Sequence, residues 1–305
     1  MFNFNSGSHS IYLNRYRALP LILTSSISLA AVPVYALQQG EIEVYPPNWW
    51  AGMQNPEVEL MIYGEDVADD AVSLATGNVK VSRVKALDSE NYLFVTLDTS
   101  GAQAQDLVLT LTDNDGSQRT VHYPLEKRKE GSASRKGFGP EDAIYLIAPD
   151  RFANGNTAND NVDGYQDKVD RQFKGGRHGG DIQGIVDNLD YIKSMGFTQI
   201  WTMPMLENAM DKYSYHGYST TDYYRIGPRF GSNDAFIDFS EKAKSEGVGV
   251  IMDMVLNHIG SNHKWMEDTP SKDWINNEGK FVGTTHKRES LHDPHAIESD
   301  IKGFS

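Results

Sequence analysis

The chain has 305 residues, 39% of them hydrophobic and 23% charged, with a formal net charge of −14. That length accommodates two ordinary domains, and the acidity argues against nucleic acid as a partner, because phosphate recognition needs clustered Lys and Arg. There are no cysteines, which excludes disulfides, thiolate metal sites and cysteine nucleophiles.

The first element is a targeting layout. Arg15 and Arg17 precede an apolar stretch, Ala18 to Val32, and "VPVYALQQ" then places Val34 and Ala36 at the −3 and −1 positions of a small-residue cleavage site. Residues 1–36 read as a secretory signal peptide. The stretch is short and interrupted by Pro20, which argues against a membrane anchor. The expected setting is secreted or periplasmic, with no membrane contact after cleavage.

Residues 37–125 show a two-residue period. Val58, Leu60 and Ile62 alternate with other residues, as do Leu93, Val95 and Leu97, and Leu107, Leu109 and Leu111; "DNDG" (Asp113 to Gly116) is a turn. Short strands with turn chemistry between them predict an antiparallel, Ig-like β-sandwich. Residues 126–139, "EKRKEGSASRKGFG", are charged and small and read as a linker.

After Pro140 the rhythm changes. "AIYLIA" (Ala143 to Ala148) is an apolar run of the kind a strand covered on both faces shows. Ile182, Ile185, Val186, Leu189, Ile192 and Met195 recur at helical spacing up to Gly196. "TQIWTMP" (Thr198 to Pro204) predicts a second strand. A second helix is expected from Ser232-Asn233, as N-caps, to Gly247, and "VGVIMDMV" is a third strand. The order β-α-β-α-β predicts a parallel sheet over residues 140–258. Asp253 then falls near the C-terminal end of the third strand, the end that carries the active site in α/β barrels.

Four stretches bear on chemistry. "DRFANGNTAND" (Asp150 to Asp160) collects Asn154, Asn156, Asn159 and Asp160 in a Gly-containing loop; hard cations such as Ca²⁺ take such oxygens, and so does a plain Asx-rich turn. "KGGRHGGDIQG" (Lys174 to Gly184) has neither a Walker lysine nor GxGxxG spacing, so its glycines read as a tight entry into a helix. "YSYHGYSTTDYY" (Tyr213 to Tyr224) holds five tyrosines and a histidine, suited equally to sugar stacking and to loop packing. His258 and His263 are separated by "IGSN", which lacks an acidic ligand; a substrate-orienting or hydrogen-bonded histidine fits better than zinc.

Taken in order, these motifs resemble the α-amylase family, glycoside hydrolase family 13, and within it the cyclomaltodextrinase and neopullulanase branch. "DMVLNH", "GGDIQGIVDNLDYIKSMGFTQIWTMP", "HGYSTTDYY", "DRFANGNTAND" and "YPPNWWAGMQNPEVELMIYG" carry the likeness from about residue 41 onward. The resemblance implies a (β/α)₈ barrel behind the sandwich, acting with retention on α-1,4-glucosidic bonds of maltodextrin, cyclomaltodextrin or pullulan type. It implies that Tyr218 stacks on the sugar, that His258 hydrogen-bonds its hydroxyls, and that Asp253 and Asn257 support the site. It further implies Ca²⁺ held by Asn154, Asn156, Asn159, Asp160, Gly179 (by its carbonyl) and Asp181, α-glucan oligosaccharides as partners, and a homodimer formed through the N-terminal domain.

The departure from the family is in catalysis. Retaining glycosidases use two carboxylates about 5 Å apart, and none of the family's three catalytic carboxylate segments is found in these 305 residues. Only three barrel strands are supplied, and residues 259–305 resemble the start of a domain inserted after the third strand. The expectation is therefore the N-terminal part of a glycoside hydrolase, with an incomplete barrel and no turnover alone. The alternative is a non-catalytic glucan-binding protein.

Overall fold

The computed structural model describes residues 42–75 and 77–280. The expected signal peptide, residues 1–36, lies outside the described residues, as does the expected inserted domain beyond residue 280.

Eight strands build the N-terminal domain: β1 (Glu43–Tyr45), β2 (Trp49–Trp50), β3 (Glu57–Tyr63), β4 (Ala71–Leu74), β5 (Lys80–Ala86), β6 (Tyr92–Asp98), β7 (Gln105–Thr112) and β8 (Gln118–Glu126). They form two four-stranded sheets, in the orders β1-β3-β6-β5 and β2-β8-β7-β4. All pairs are antiparallel except β2 with β8. The alternation in the sequence sets which face each strand buries. Val58, Leu60 and Ile62 pair across to Leu97, Val95 and Leu93 and point inward, where they meet Leu107, Leu109 and Leu111 from the other sheet. Each fully buried Leu or Ile here contributes about 1.5–3 kcal/mol of transfer free energy.

The second half contains β9 (Ile144–Ile147), α1 (Pro149–Phe152), α2 (Ile182–Asp187), α3 (Leu189–Ser194), β10 (Gln199–Thr202), β11 (Leu206–Glu207), β12 (Asp222–Ile226), α4 (Asn233–Ser245) and β13 (Gly249–Met252). Strands β9, β10 and β13 form a parallel sheet in the order β13-β10-β9, the first strands of an incomplete (β/α)₈ barrel. Ile147 and Ile200 on one face pack against Ile182, Ile185, Leu189, Ile192, Phe239 and Ala243 of the helices.

Three expectations change. The sheet is covered on one face, not two: Leu146 is 53% exposed and Trp201 38%, because among the described residues the helices pack on one side only. The single helix expected from Ile182 to Met195 is two short helices. Asn188 breaks it: its side-chain amide takes the Gly184 carbonyl at 2.7 Å, its backbone N–H turns back to Ile185, and its φ/ψ of −114/16 leaves the helical basin. Beyond α3, Met195 is exposed rather than core. The third unexpected element is the β11–β12 hairpin, which carries the tyrosine-rich loop.

Helix α4 follows its sequence. Ser232 Oγ accepts the Ala235 N–H at 3.1 Å as the N-cap, and Gly247 ends it at φ 83, a left-handed conformation that suits glycine. Ser232→Ala is expected to cost about 1 kcal/mol in a denaturant titration; an unchanged midpoint would show that the cap carries no stability.

The sandwich is tied to the segment that follows residue 258. Tyr92 OH donates to the Asp268 carbonyl at 2.7 Å, Asn91 Nδ2 to its Oδ2 at 2.8 Å, and the Lys272 N–H to Asp88 at 2.9 Å. Lys264 pairs with Glu43 and Tyr45, and the Tyr45 ring meets Trp265 edge-on at 5.5 Å. Among the described residues no helix is long and apolar enough to cross a membrane.

Candidate active site

The C-terminal ends of β10 and β13 bring four of the expected residues together. Trp201 pairs in register with Ile251, and Asp253 lies two residues further on, so the two-residue period turns both side chains to the same exposed face of the sheet. Asp253 sits one residue past the end of β13 and is half-exposed. Its Oδ2 accepts from Trp201 Nε1 at 3.2 Å and from Tyr218 OH at 3.3 Å. Burial, and then the neighbouring Asp253 carboxylate, push the Tyr218 phenol above its ordinary range. Tyr218 therefore stays protonated at neutral pH, as a donor to Asp253 must.

His258 faces the same loop from the other side. Its Nε2 lies 2.7 Å from the Tyr218 carbonyl, which can only accept, so Nε2 carries a proton. Its Nδ1 lies 2.8 Å from Asn257 Nδ2, which donates, so the ring is the neutral Nε2–H tautomer, as assigned from this network. Both ring nitrogens are thus engaged, and a sugar hydroxyl reaching His258 has to displace the exposed Asn257 amide. Tyr223 OH lies 2.9 Å from the Val255 carbonyl and 2.8 Å from that of His258, fixing the backbone on which His258 sits. Trp201 and Tyr223 were missed in the sequence. Trp201 was findable by the strand-end rule that singled out Asp253; Tyr223 carried no signal apart from its tyrosine-rich surroundings.

His263 belongs to a different structure. It is 2% exposed, its ring lies against Trp265 at 4.3 Å and Tyr223 at 5.9 Å, and its Nδ1 accepts the Trp265 N–H at 3.1 Å. Burial, with a smaller contribution from Lys264, lowers its pKa to about 4. The folded protein thus holds His263 neutral while the unfolded chain protonates it near pH 6.5. Stability is expected to fall as pH drops from about 6.5 towards about 4, because the unfolded state binds the extra proton. His263→Asn keeps a capping acceptor without the titration, so its denaturation midpoint should be flatter over that window; an equal slope would exclude His263 as the source.

The loop after β9 gathers the expected cation ligands. Asp150, 1% exposed, accepts the backbone N–H groups of His178 at 2.8 Å and Gly179 at 3.2 Å and pairs with Arg151 at 2.9 Å. This pins the glycine run, in which a Cβ on Gly180 would lie 2.1 Å from the Pro149 carbonyl oxygen. Asp181 is fully buried. Its Oδ1 accepts from Gly155 N–H at 3.1 Å and Gly184 N–H at 2.7 Å, and its Oδ2 from Asn156 N–H at 2.8 Å. The Asn156 side chain caps its own turn through the Ala158 N–H.

The residues present fit a hard cation on one observation. The side-chain oxygens of Asn154 and Asn159 are buried without a hydrogen-bond partner, and buried carbonyl oxygens left in that state are unfavourable. Asn154 Nδ2 lies 2.6 Å from Asp160 Oδ1. At Gly179, where φ is 87, a Cβ would lie 2.4 Å from that same Asp160 oxygen, so only glycine lets these groups approach. The six residues thus divide. Asn154, Asp160 and Gly179 lie against one another and Asn159 adds a second bare oxygen, while Asn156 and Asp181 hold the loop. Among the described residues no three acidic or histidine side chains cluster to hold a metal, so a cation here would rest largely on neutral oxygens.

Comparison with known proteins supplies the lineage. Residues 146–303 match the family model "Alpha amylase, catalytic domain", and residues 43–129 match "Cyclomaltodextrinase, N-terminal". A beta/alpha-amylase of Paenibacillus polymyxa is 42% identical over 120 residues, covering 39% of this chain and 10% of that protein. A cyclomaltodextrinase of Thermoanaerobacter pseudethanolicus is 36% identical over 170 residues, covering 51% and 27%. Neopullulanase 2 of Thermoactinomyces vulgaris is 35% identical over 136 residues, covering 44% and 23%. The chain thus spans between a tenth and about a quarter of the length of these curated relatives. With the catalytic-domain model matching over half of its residues, and the N-terminal model matching the sandwich ahead of it, the chain belongs to the α-amylase family.

Proposed function

We propose that these residues form part of a retaining α-glucan hydrolase acting on maltodextrin, cyclomaltodextrin or pullulan-type α-1,4 bonds. The observation that supports it is the meeting of Trp201, Tyr218, Asp253 and His258 at the C-terminal ends of parallel strands, where α/β barrels place their chemistry. In this reading Tyr218 offers a ring to the C–H face of a sugar, with its hydroxyl tethered to Asp253. Trp201, held by the same carboxylate, forms the adjoining wall, and His258 Nδ1 accepts from a sugar hydroxyl once Asn257 is displaced. Asp253 orients these groups and transfers no proton.

A calcium ion would be held by Asn154, Asn159, Asp160 and the Gly179 carbonyl. It would supply a structural cross-link between the start of the loop and its return to α2. The residues that turn over a glycosidic bond are not among those described, so the 305-residue chain on its own is proposed to bind glucan without hydrolysing it. The layout of residues 1–36 supports export from the cytoplasm as the setting.

The test compares linkages. Calorimetric titration of the chain should detect maltoheptaose and no β-1,4-linked glucan of equal length, and reducing-end assays on maltodextrin and cyclodextrin should show no turnover. Equal affinity for both linkages would overturn the substrate class; turnover by this chain would overturn the assignment of catalysis to other residues.

A further inference from the structure

We propose that Asp167 is a positioning residue for Tyr218: through Ser214 it fixes the loop on which that tyrosine stands. The proposal rests on the glucan reading for its consequence in binding, and on geometry alone for the placement.

The tip of Tyr218 reaches Asp253 through one bond of 3.3 Å to a half-exposed carboxylate. A bond that long, with water at hand, orients the hydroxyl but does little to fix the backbone beneath it. The base of the residue is set elsewhere. Ser214, earlier on the same loop, is 1% exposed, and both its donors go to one carboxylate. Asp167 Oδ2 accepts its backbone N–H at 2.8 Å and its hydroxyl at 2.9 Å. Hydrogen bonds to a carboxylate are roughly twice as strong as neutral ones, so this pair outweighs the single contact at the tip. Tyr213, immediately before, is held at φ 59, a left-handed conformation that costs a residue other than glycine about 1–3 kcal/mol. Such strain persists only where the surroundings impose it, and the two bonds from Ser214 to Asp167 are the constraint next to it.

Between Ser214 and Tyr218 the chain has no slack. Ser214–His216 is one turn of 3₁₀ helix, closed by the Gly217 N–H on the Ser214 carbonyl at 3.3 Å. At Gly217, where φ is 79, a Cβ would lie 1.9 Å from the Pro204 carbonyl oxygen, so the turn abuts the segment leaving β10. The Tyr218 N–H then donates to His216 Nδ1 at 2.9 Å. Burial lowers the His216 pKa, which keeps that nitrogen unprotonated and able to accept. A displacement of Ser214 is therefore passed on to Tyr218 and not absorbed on the way.

Asp167 is itself held. Its backbone carbonyl accepts from Arg229 Nη1 at 2.7 Å, and Arg229 Nη2 donates to the Asn208 carbonyl at the root of the tyrosine loop. Arg229 is 3% exposed and lies over the Tyr165 ring at 4.7 Å. Tyr165 OH in turn donates to Glu207, in β11, at 2.7 Å. Residues 165–167, from the loop after β9, thus grip the tyrosine loop both at its root and at Ser214.

Fluorine-19 NMR of the full chain carrying 3-fluorotyrosine at position 218 tests this, with maltoheptaose calorimetry alongside. Asp253→Ala marks the resonance of a ring without its tether. Asp167→Ala should move the resonance away from its wild-type position and weaken maltoheptaose binding about tenfold. Asp167→Asn, whose amide oxygen still accepts from Ser214, should restore both. Ser214→Ala keeps the N–H bond and loses only the hydroxyl, so this milder cut should shift the resonance part of the way. In a Tyr218→Ala background Asp167→Ala should cost less than about twofold further, because the ring it positions is gone. A wild-type resonance in both Asp167→Ala and Ser214→Ala, or a tenfold loss that persists in the Tyr218→Ala background, overturns the proposal. Wild-type protein that binds no maltoheptaose overturns the glucan reading instead, and the fluorine resonance still decides the placement.

Discussion

Asp181→Ala is expected to lower the stability of the protein by about 3–5 kcal/mol, read as a shift in the guanidinium unfolding midpoint at constant m-value. The carboxylate is fully buried and receives three backbone N–H groups from two segments, Gly155 and Asn156 on the loop and Gly184 inside α2. Each buried donor left without an acceptor costs about 1–3 kcal/mol, and the cap of α2 is lost with them. Water entering the gap recovers part of this, which keeps the sum below the arithmetic maximum. The loss is a large share of the 5–15 kcal/mol typical of a folded domain. Asp181→Asn retains an acceptor oxygen and should lose less. Equal midpoints for wild type and Asp181→Ala would mean that the loop is not anchored through this residue.

Asp253→Ala should behave in the opposite way, with a small effect on folding and a large one on binding. The residue is half-exposed and its two hydrogen bonds are long, 3.2 Å from Trp201 and 3.3 Å from Tyr218. Water replaces them readily, so stability should change by less than about 1 kcal/mol. The aromatic pair that the carboxylate holds nevertheless loses its shared tether. Maltoheptaose affinity is expected to fall about tenfold to a hundredfold, roughly 1.4–2.7 kcal/mol, with the restoring variant Asp253→Asn intermediate. A loss of affinity matched by an equal loss of stability would make Asp253 a structural residue without a role in orienting the site.

Much of this architecture is legible in the sequence because local physics and tertiary context agree. The alternating leucines of β7 bury one face, and a strand period allows no other face to be inward. Ser232 and Gly247 bracket α4 for reasons contained in a few residues. Where context decides, the sequence is silent. Asn188 is a tolerable helix residue until its amide finds the Gly184 carbonyl. Leu206–Glu207 is too short to show a period and becomes a strand only because Ile226 and Asp222 lie opposite. Residues of β9 read as doubly covered from their apolarity alone, yet Leu146 faces outward.

The site divides the same way. Asp253 and His258 were marked by their place at a strand end, and Tyr218 by its company. That both oxygen-tethered aromatics hang on one carboxylate oxygen, and that His258 already spends both nitrogens on Tyr218 and Asn257, are facts of three dimensions. His263 was ambiguous in sequence because its burial comes from Tyr223, forty residues away in the chain, and from Trp265.

The central claim is that Tyr218 and His258 form one wall of a glucan site, and a fluorescence titration addresses it most directly. Maltoheptaose added to the full chain should change the tryptophan emission saturably, through Trp201 beside the bound sugar. Tyr218→Ala and His258→Ala should each weaken that binding about tenfold or more while leaving the unfolding midpoint nearly unchanged. Wild-type affinity in both variants would contradict the account.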